Sequence, residues 1–105
     1  MAGKRLIWTL PAEQSLNEIA SYYSLRNKSN TYSKKIVSEV RKHSHLLRQH
    51  AFLGRQIPNS DRRVLFILRY HLFYKIIDNT IYILDIWDGR RNPESIKYYK
   101  KDLQQ

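Results

Sequence analysis

Apolar residues recur first at helical and then at strand spacing along this chain. Residues 5–9 (Arg5, Leu6, Ile7, Trp8, Thr9) are an apolar run between basic residues and a Thr-Leu-Pro break, which predicts a strand entering a helix. From Pro11, Leu16, Ile19, Ala20 and Tyr23 fall at i, i+3, i+4 and i+7. They therefore share one helical face, with Gln14, Ser15, Asn17 and Glu18 off it. Residues 26–30 supply loop and N-cap types. A second helix is predicted over 31–49, buried along Ile36, Val37, Val40 and Leu47 and wet along Lys34, Lys35, Arg41, Lys42 and Arg48. The two helices are expected to form an antiparallel hairpin.

After a stretch read as loop, 53–60, from its Gly54, Pro58, Asn59 and Ser60, the period changes to that of strands. Residues 64–68, 71–77 and 80–87 are rich in Ile, Leu, Phe, Tyr and Val, and Asp78-Asn79 between the last two is a hairpin-turn pair. A three-stranded antiparallel meander is predicted. In its middle strand Leu72, Tyr74 and Ile76 point one way, and His71, Phe73 and Lys75 the other. Placing the first set on the helices leaves His71 and Lys75 on the open face. Beyond Asp88 come Gly89, then Arg90, Arg91, Asn92 and Pro93, and a polar Tyr/Lys stretch that reads as a short helix or a frayed end.

The expected fold class is α+β: β-α-α-β-β-β, with or without a last helix, a helical hairpin packed on a twisted, mainly antiparallel sheet. At 105 residues the chain supports one hydrophobic core and one domain, 1–105. Its 42% hydrophobic content marks it as globular.

Charge adds a partner class. Nineteen Lys and Arg against nine Asp and Glu give +10, which favours a polyanion: nucleic acid, ribosome, an acidic protein or a membrane surface. The basic residues divide evenly about Phe52, so no separate tail carries the charge. The absence of cysteine excludes thiol catalysis, disulfides and Cys-based zinc sites. The start lacks the apolar core of a signal peptide, and no segment approaches transmembrane length, so a cytoplasmic location without membrane contact is expected. No metal or cofactor is expected. His43, His45 and His50 lack the i, i+4 spacing of a helical metal pair, and Asp85 and Asp88 lack the Glu and Lys partners of a metal-dependent nuclease.

Several stretches, in order, resemble the RelE/ParE toxin superfamily. Trp8-Thr9 followed by Ala12, Leu16, Ile19 and Tyr22-Tyr23 is similar to its opening strand and helix. Leu53-Gly54-Arg55 is similar to its loop after the second helix. Arg63-Val64-Leu65, Tyr70-His71-Leu72-Phe73-Tyr74, and Ile83 to Ile86 followed by Gly89 to Pro93, are similar to its last three strands and arginine pair. The resemblance implies the toxin of a type II toxin-antitoxin pair, neutralised by a cognate antitoxin that wraps it. RelE-like members cleave mRNA in the ribosomal A site; ParE-like members poison DNA gyrase. The first activity, a metal-independent ribosome-dependent mRNA endonuclease, is the leading expectation, and gyrase inhibition without catalysis is the alternative.

RNA cleavage through the 2′-hydroxyl needs a base, an acid and cations on the phosphate. The family motif has an arginine where this chain has His71, and an imidazole of ordinary pKa near 6.5 can serve as base or acid. The resemblance further implies Arg90 and Arg91 as the catalytic phosphate holders, because the RelE-like pattern carries an arginine after its last strand. Arg62, Arg63 and Lys75 are candidates for backbone phosphates. Tyr98 and Tyr99 stand within about one residue of the tyrosine that stacks on a base in RNA-cleaving relatives.

Overall fold

In the computed structural model, residues 3–89 are described. Strand β1 (Arg5–Trp8) leads into helix α1 (Leu10–Asn27) and helix α2 (Thr31–Leu46). Strands β2 (Arg55–Gln56), β3 (Arg62–Ile67), β4 (Tyr70–Ile77) and β5 (Thr80–Asp88) follow. The sheet order is β1-β5-β4-β3-β2, antiparallel throughout except that β1 runs parallel to β5. The α+β expectation of two helices on a mainly antiparallel sheet therefore describes the molecule.

Each helix is explained by its buried face and its ends. In α1, Ala12, Leu16 and Tyr23 are buried, with Pro11 at the first turn, where its missing N–H costs nothing. The helix stops at Lys28, whose left-handed backbone (φ 52°) lets its N–H reach the Ser24 carbonyl. In α2, Ile36 and Val40 face the core, and Ser29 Oγ accepts the Thr31 N–H at 3.2 Å to occupy one of the orphan donors. The hairpin is tied by Ser24 Oγ to Ser33 Oγ (2.8 Å) and by Arg41, which bonds Glu13 at 2.7 Å and lies 4.5 Å over the Trp8 ring.

Three expectations about elements need correction. Arg26 and Asn27, read as loop, are the last two residues of α1. Helix α2 ends at Leu46 and not at 49, because the N–H groups of Leu47, Arg48 and Gln49 turn to carbonyls three residues back, tightening the end into a 3₁₀-like turn. Part of the stretch read as loop is strand β2, in which Arg55 pairs with Val64 and Gln56 with Arg63. Two residues are too few to show a period, so only the pairing reveals it.

The main core lies between helices and sheet, where Leu16, Ile36, Val40, Leu47, Ile67, Leu72, Tyr74, Ile81 and Ile83 are buried. Leu72 and Tyr74 point to the helices as the alternation predicts, and Phe73 points away into a second cluster with Ile57 and Val64. The Asp78-Asn79 turn joins β4 and β5, with Asp78 at φ 53°. Within β5, Leu84 is an extra residue opposite the Phe73–Tyr74 step, a bulge that breaks the two-residue alternation.

Tyr74 also closes the β2 approach. Its buried hydroxyl accepts the Gly54 N–H at 2.9 Å and donates to the Ala51 carbonyl at 2.8 Å. A Cβ on Gly54 would lie 2.7 Å from the Tyr74 hydroxyl, so residue 54 must be glycine for the backbone to come this close. Tyr74→Phe leaves two backbone groups without that partner and is expected to destabilise the fold by about 2 kcal/mol. A denaturant midpoint lowered at unchanged slope would report it.

Candidate functional site

The face of the sheet turned away from the helices is built by strand register. Residues paired across strands share a face, so Arg62, Lys75, Tyr82 and Ile7 form one row and Phe66, His71 and Trp87 another. Between them lie buried Val64 and Phe73, capped by Ile57, with Leu84 and Trp87 packed alongside. Arg55, paired with Val64, reaches over the same face, its guanidinium 6.0 Å from the Phe66 ring centre. Phe66 is 51% exposed, a large aromatic side chain standing in solvent beside cations. The face thus offers stacking surface and positive charge at its rim over an apolar floor.

His71 sits in the middle of this face with its ring packed edge-on to Phe66 (4.8 Å between centres) and near Phe73 (6.4 Å). A Cβ on Gly89 would fall 2.8 Å from His71 Nε2 and 2.6 Å from the Arg69 carbonyl, so the chain passes close beside the imidazole as it leaves β5. Burial lowers the His71 pKa below its ordinary 6.5, and the nearby Asp88 carboxylate opposes that only in part. The neutral form is therefore favoured in the folded state.

Of the residues expected at the site, His71, Arg62 and Lys75 share this face. Arg62 is largely covered and pairs with Asp61 (3.7 Å). Arg63 is on the opposite side, its guanidinium donating to the Gly54 carbonyl at 2.6 Å and lying 4.8 Å over the Phe52 ring. It is a fastening for the β2 approach, which separates it from the other cations. Arg90, Arg91, Tyr98 and Tyr99 lie outside the described residues. Gly89, the last described residue, lies beside His71.

Asp85 has a structural position. It is 6% exposed and accepts three hydrogen bonds: from Ser15 Oγ on α1 (2.5 Å), from the Ile86 N–H (2.8 Å) and from Trp87 Nε1 (3.1 Å). Among the described residues, no group of three His, Asp or Glu side chains can hold a metal ion. No helix there is long and apolar enough to cross a membrane.

A groove of about 470 Å³ lies between α1 and the end of β5. Ser15, Glu18, Ile19, Tyr22, Tyr23, Tyr70, Ile86, Trp87 and Asp88 line it. Beside it Arg69 donates to the hydroxyls of Tyr23 and Tyr32, from the β3–β4 turn whose Leu68 has φ 56°.

A sequence model for the family described as "ParE toxin of type II toxin-antitoxin system, parDE" matches residues 6–93, from β1 to beyond β5. The chain belongs to this ParE toxin family. Among solved structures, a chain of the chromosomal ParDE toxin-antitoxin system from P. aeruginosa is similar, with a TM-score of 0.71 and 22% identity. That likeness covers 79% of this chain and 92% of the other, and it supports the fold. No curated protein matches the sequence.

This ParE-family protein is thus a toxin of a type II toxin-antitoxin system, as the ordered resemblance implied. Sequence reasoning did not pick out Phe66, Trp87 and Arg55 on the toxin's open face. The missing signal was register: Phe66 and Trp87 join His71 only through cross-strand pairing, and it is the Leu84 bulge that turns Trp87 to this face.

The toxin's stability is expected to depend on His71. Below about pH 6.5 the unfolded chain takes up a proton that the folded imidazole resists, so stability is complete above that value and falls as the pH drops toward the lowered folded pKa. In His71→Gln the fall between about pH 7 and pH 5 is expected to flatten, read as unfolding midpoints across that range.

Proposed function

We propose that this ParE-family toxin arrests growth by binding DNA gyrase, without chemistry of its own. The observation that carries this reading is the family match over 6–93, because ParE-like members of the superfamily poison gyrase whereas RelE-like members cut mRNA on the ribosome. The geometry of the open face supports it. Phe66, Trp87 and Arg55 are side-chain types that anchor protein interfaces, and Lys75 adds positive charge on the same face. His71, which RNA cleavage would use as base or acid, is packed against aromatic rings and the Gly89 backbone. The net charge of +10 favours encounter with an enzyme that holds DNA.

The cognate antitoxin is the second partner. A small protein with an acidic or amphipathic segment would neutralise the toxin by covering the cations and exposed Phe66 together, burying charge and apolar area in one contact.

Induced expression with parallel readouts tests the target. Growth arrest with DNA damage and intact mRNA is the expected result. Codon-phased mRNA ends, lost in His71→Ala, would instead assign ribosome-dependent endonuclease activity. Unimpaired growth on full induction of folded protein would overturn the toxin function itself.

A further inference from the structure

The groove between α1 and β5 differs in character from the rest of this basic molecule. Two carboxylates, Glu18 and Asp88, stand on its lining, and Tyr22, Tyr23, Tyr70 and Trp87 wall it over an apolar floor of Ile19 and Ile86. Acidic groups set among aromatic faces suit a cationic side chain, which gains from both the carboxylates and the ring quadrupoles. Tyr70 gives an independent sign of an occupant. Its side chain is 1% exposed, yet its hydroxyl makes no hydrogen bond in normal geometry, although Tyr23 and Arg69 are beside it. Buried hydroxyls are normally satisfied, so this one has hydrogen-bonding capacity to offer a group entering the groove.

The nearest source of such a group is the chain itself. Asp88 is part of the groove lining, and the backbone leaves β5 one residue later at Gly89. The segment that follows carries Arg90, Arg91, Lys97, Lys100 and Lys101 against only Glu94 and Asp102. It also carries Tyr98 and Tyr99, which can stack on the groove's aromatic walls. Local concentration favours this tethered segment over any free partner of the same chemistry.

We propose that the groove is the docking site for residues 90–105 of the same chain, with a Lys or Arg of that segment held between Glu18 and Asp88 and a polar group meeting the Tyr70 hydroxyl. Docking there does not depend on which target the toxin blocks. It draws the tail from the β5 end toward α1.

The absence of cysteine makes the test clean. Tyr22→Cys, at the groove's exposed lip, is combined in purified full-length protein with single cysteines at Glu94, Lys97 or Lys100. Lys35→Cys on α2 replaces the groove cysteine as the control. Under mild oxidation at least one tail position is expected to form an intramolecular disulfide with residue 22 at least ten times faster than with residue 35. Adding Glu18→Lys and Asp88→Lys is expected to slow that reaction about tenfold, with folding verified by circular dichroism. Equal rates with residues 22 and 35 would overturn the proposal, as would no cross-link at residue 22. Cross-linking only between chains, rising with protein concentration, would overturn it in favour of a second copy as the occupant.

Discussion

Asp85→Ala is expected to lower the unfolding free energy by about 3 kcal/mol, a larger loss than that from Tyr74→Phe because the acceptor removed is charged. One buried carboxylate joins α1, through Ser15, to the bulged end of β5, through the Ile86 N–H and the Trp87 indole. Removing it leaves those donors without their charged acceptor. The stability of a domain this size is only about 5–15 kcal/mol, so the variant is expected to be markedly more heat-sensitive. Asp85→Asn is expected to be intermediate, because its amide can still accept one or two of the bonds while its NH₂ opposes another donor. Denaturant melts of the two variants beside the parent check the order. Equal stability of all three would show that the clamp contributes nothing.

Changing the open face is expected to have the largest effect on activity at little cost in stability. Phe66→Ala with Lys75→Glu removes the most exposed aromatic side chain of the face and reverses a charge in the row beyond Val64 and Phe73. Truncating an aromatic interface anchor and misplacing a charge together typically weaken binding by about 2–4 kcal/mol. The double variant is therefore expected to need roughly 100-fold more protein for the same inhibition. Its unfolding midpoint should stay close to the parent's, because Phe66 is half in solvent already. Undiminished toxicity of the folded double variant would place the target-binding surface elsewhere.

The features behind these effects differ in how legible they are in the sequence. Helix faces with four or more apolar positions at 3.6-residue spacing are readable because burial imposes that period, as Leu16 to Tyr23 and Ile36 to Leu47 show. The Asp78-Asn79 turn and the inward Leu72 and Tyr74 are readable for the same reason at period two. Strand β2 is not, since two residues have no period and pair only because Gly54 lets the backbone come close to Tyr74. The Leu84 bulge is equally hidden, and with it the role of Asp85, whose three donors come from residues that no spacing rule connects.

The candidate site is legible in part. Alternation alone places His71 and Lys75 on the open face, and the structure keeps them there beside Arg62. Arg63 has the opposite parity and serves Gly54, a fact that simple adjacency to Arg62 conceals. The aromatic partners Phe66 and Trp87 belong to neighbouring strands, so they join His71 only once cross-strand register is known. The groove below α1 is invisible in the same way: Glu18, Tyr70 and Asp88 are distant in sequence and meet through helix-on-sheet packing.

The most direct test of gyrase as the target uses purified components. The folded toxin is added to DNA gyrase and relaxed plasmid, and in parallel to ribosomes programmed with mRNA. Loss of supercoiling is expected, suppressed by prior addition of the cognate antitoxin and reduced in the Phe66→Ala, Lys75→Glu variant, with the mRNA left whole. Full supercoiling in the presence of excess toxin, together with mRNA cut on the ribosome, would contradict gyrase as the target.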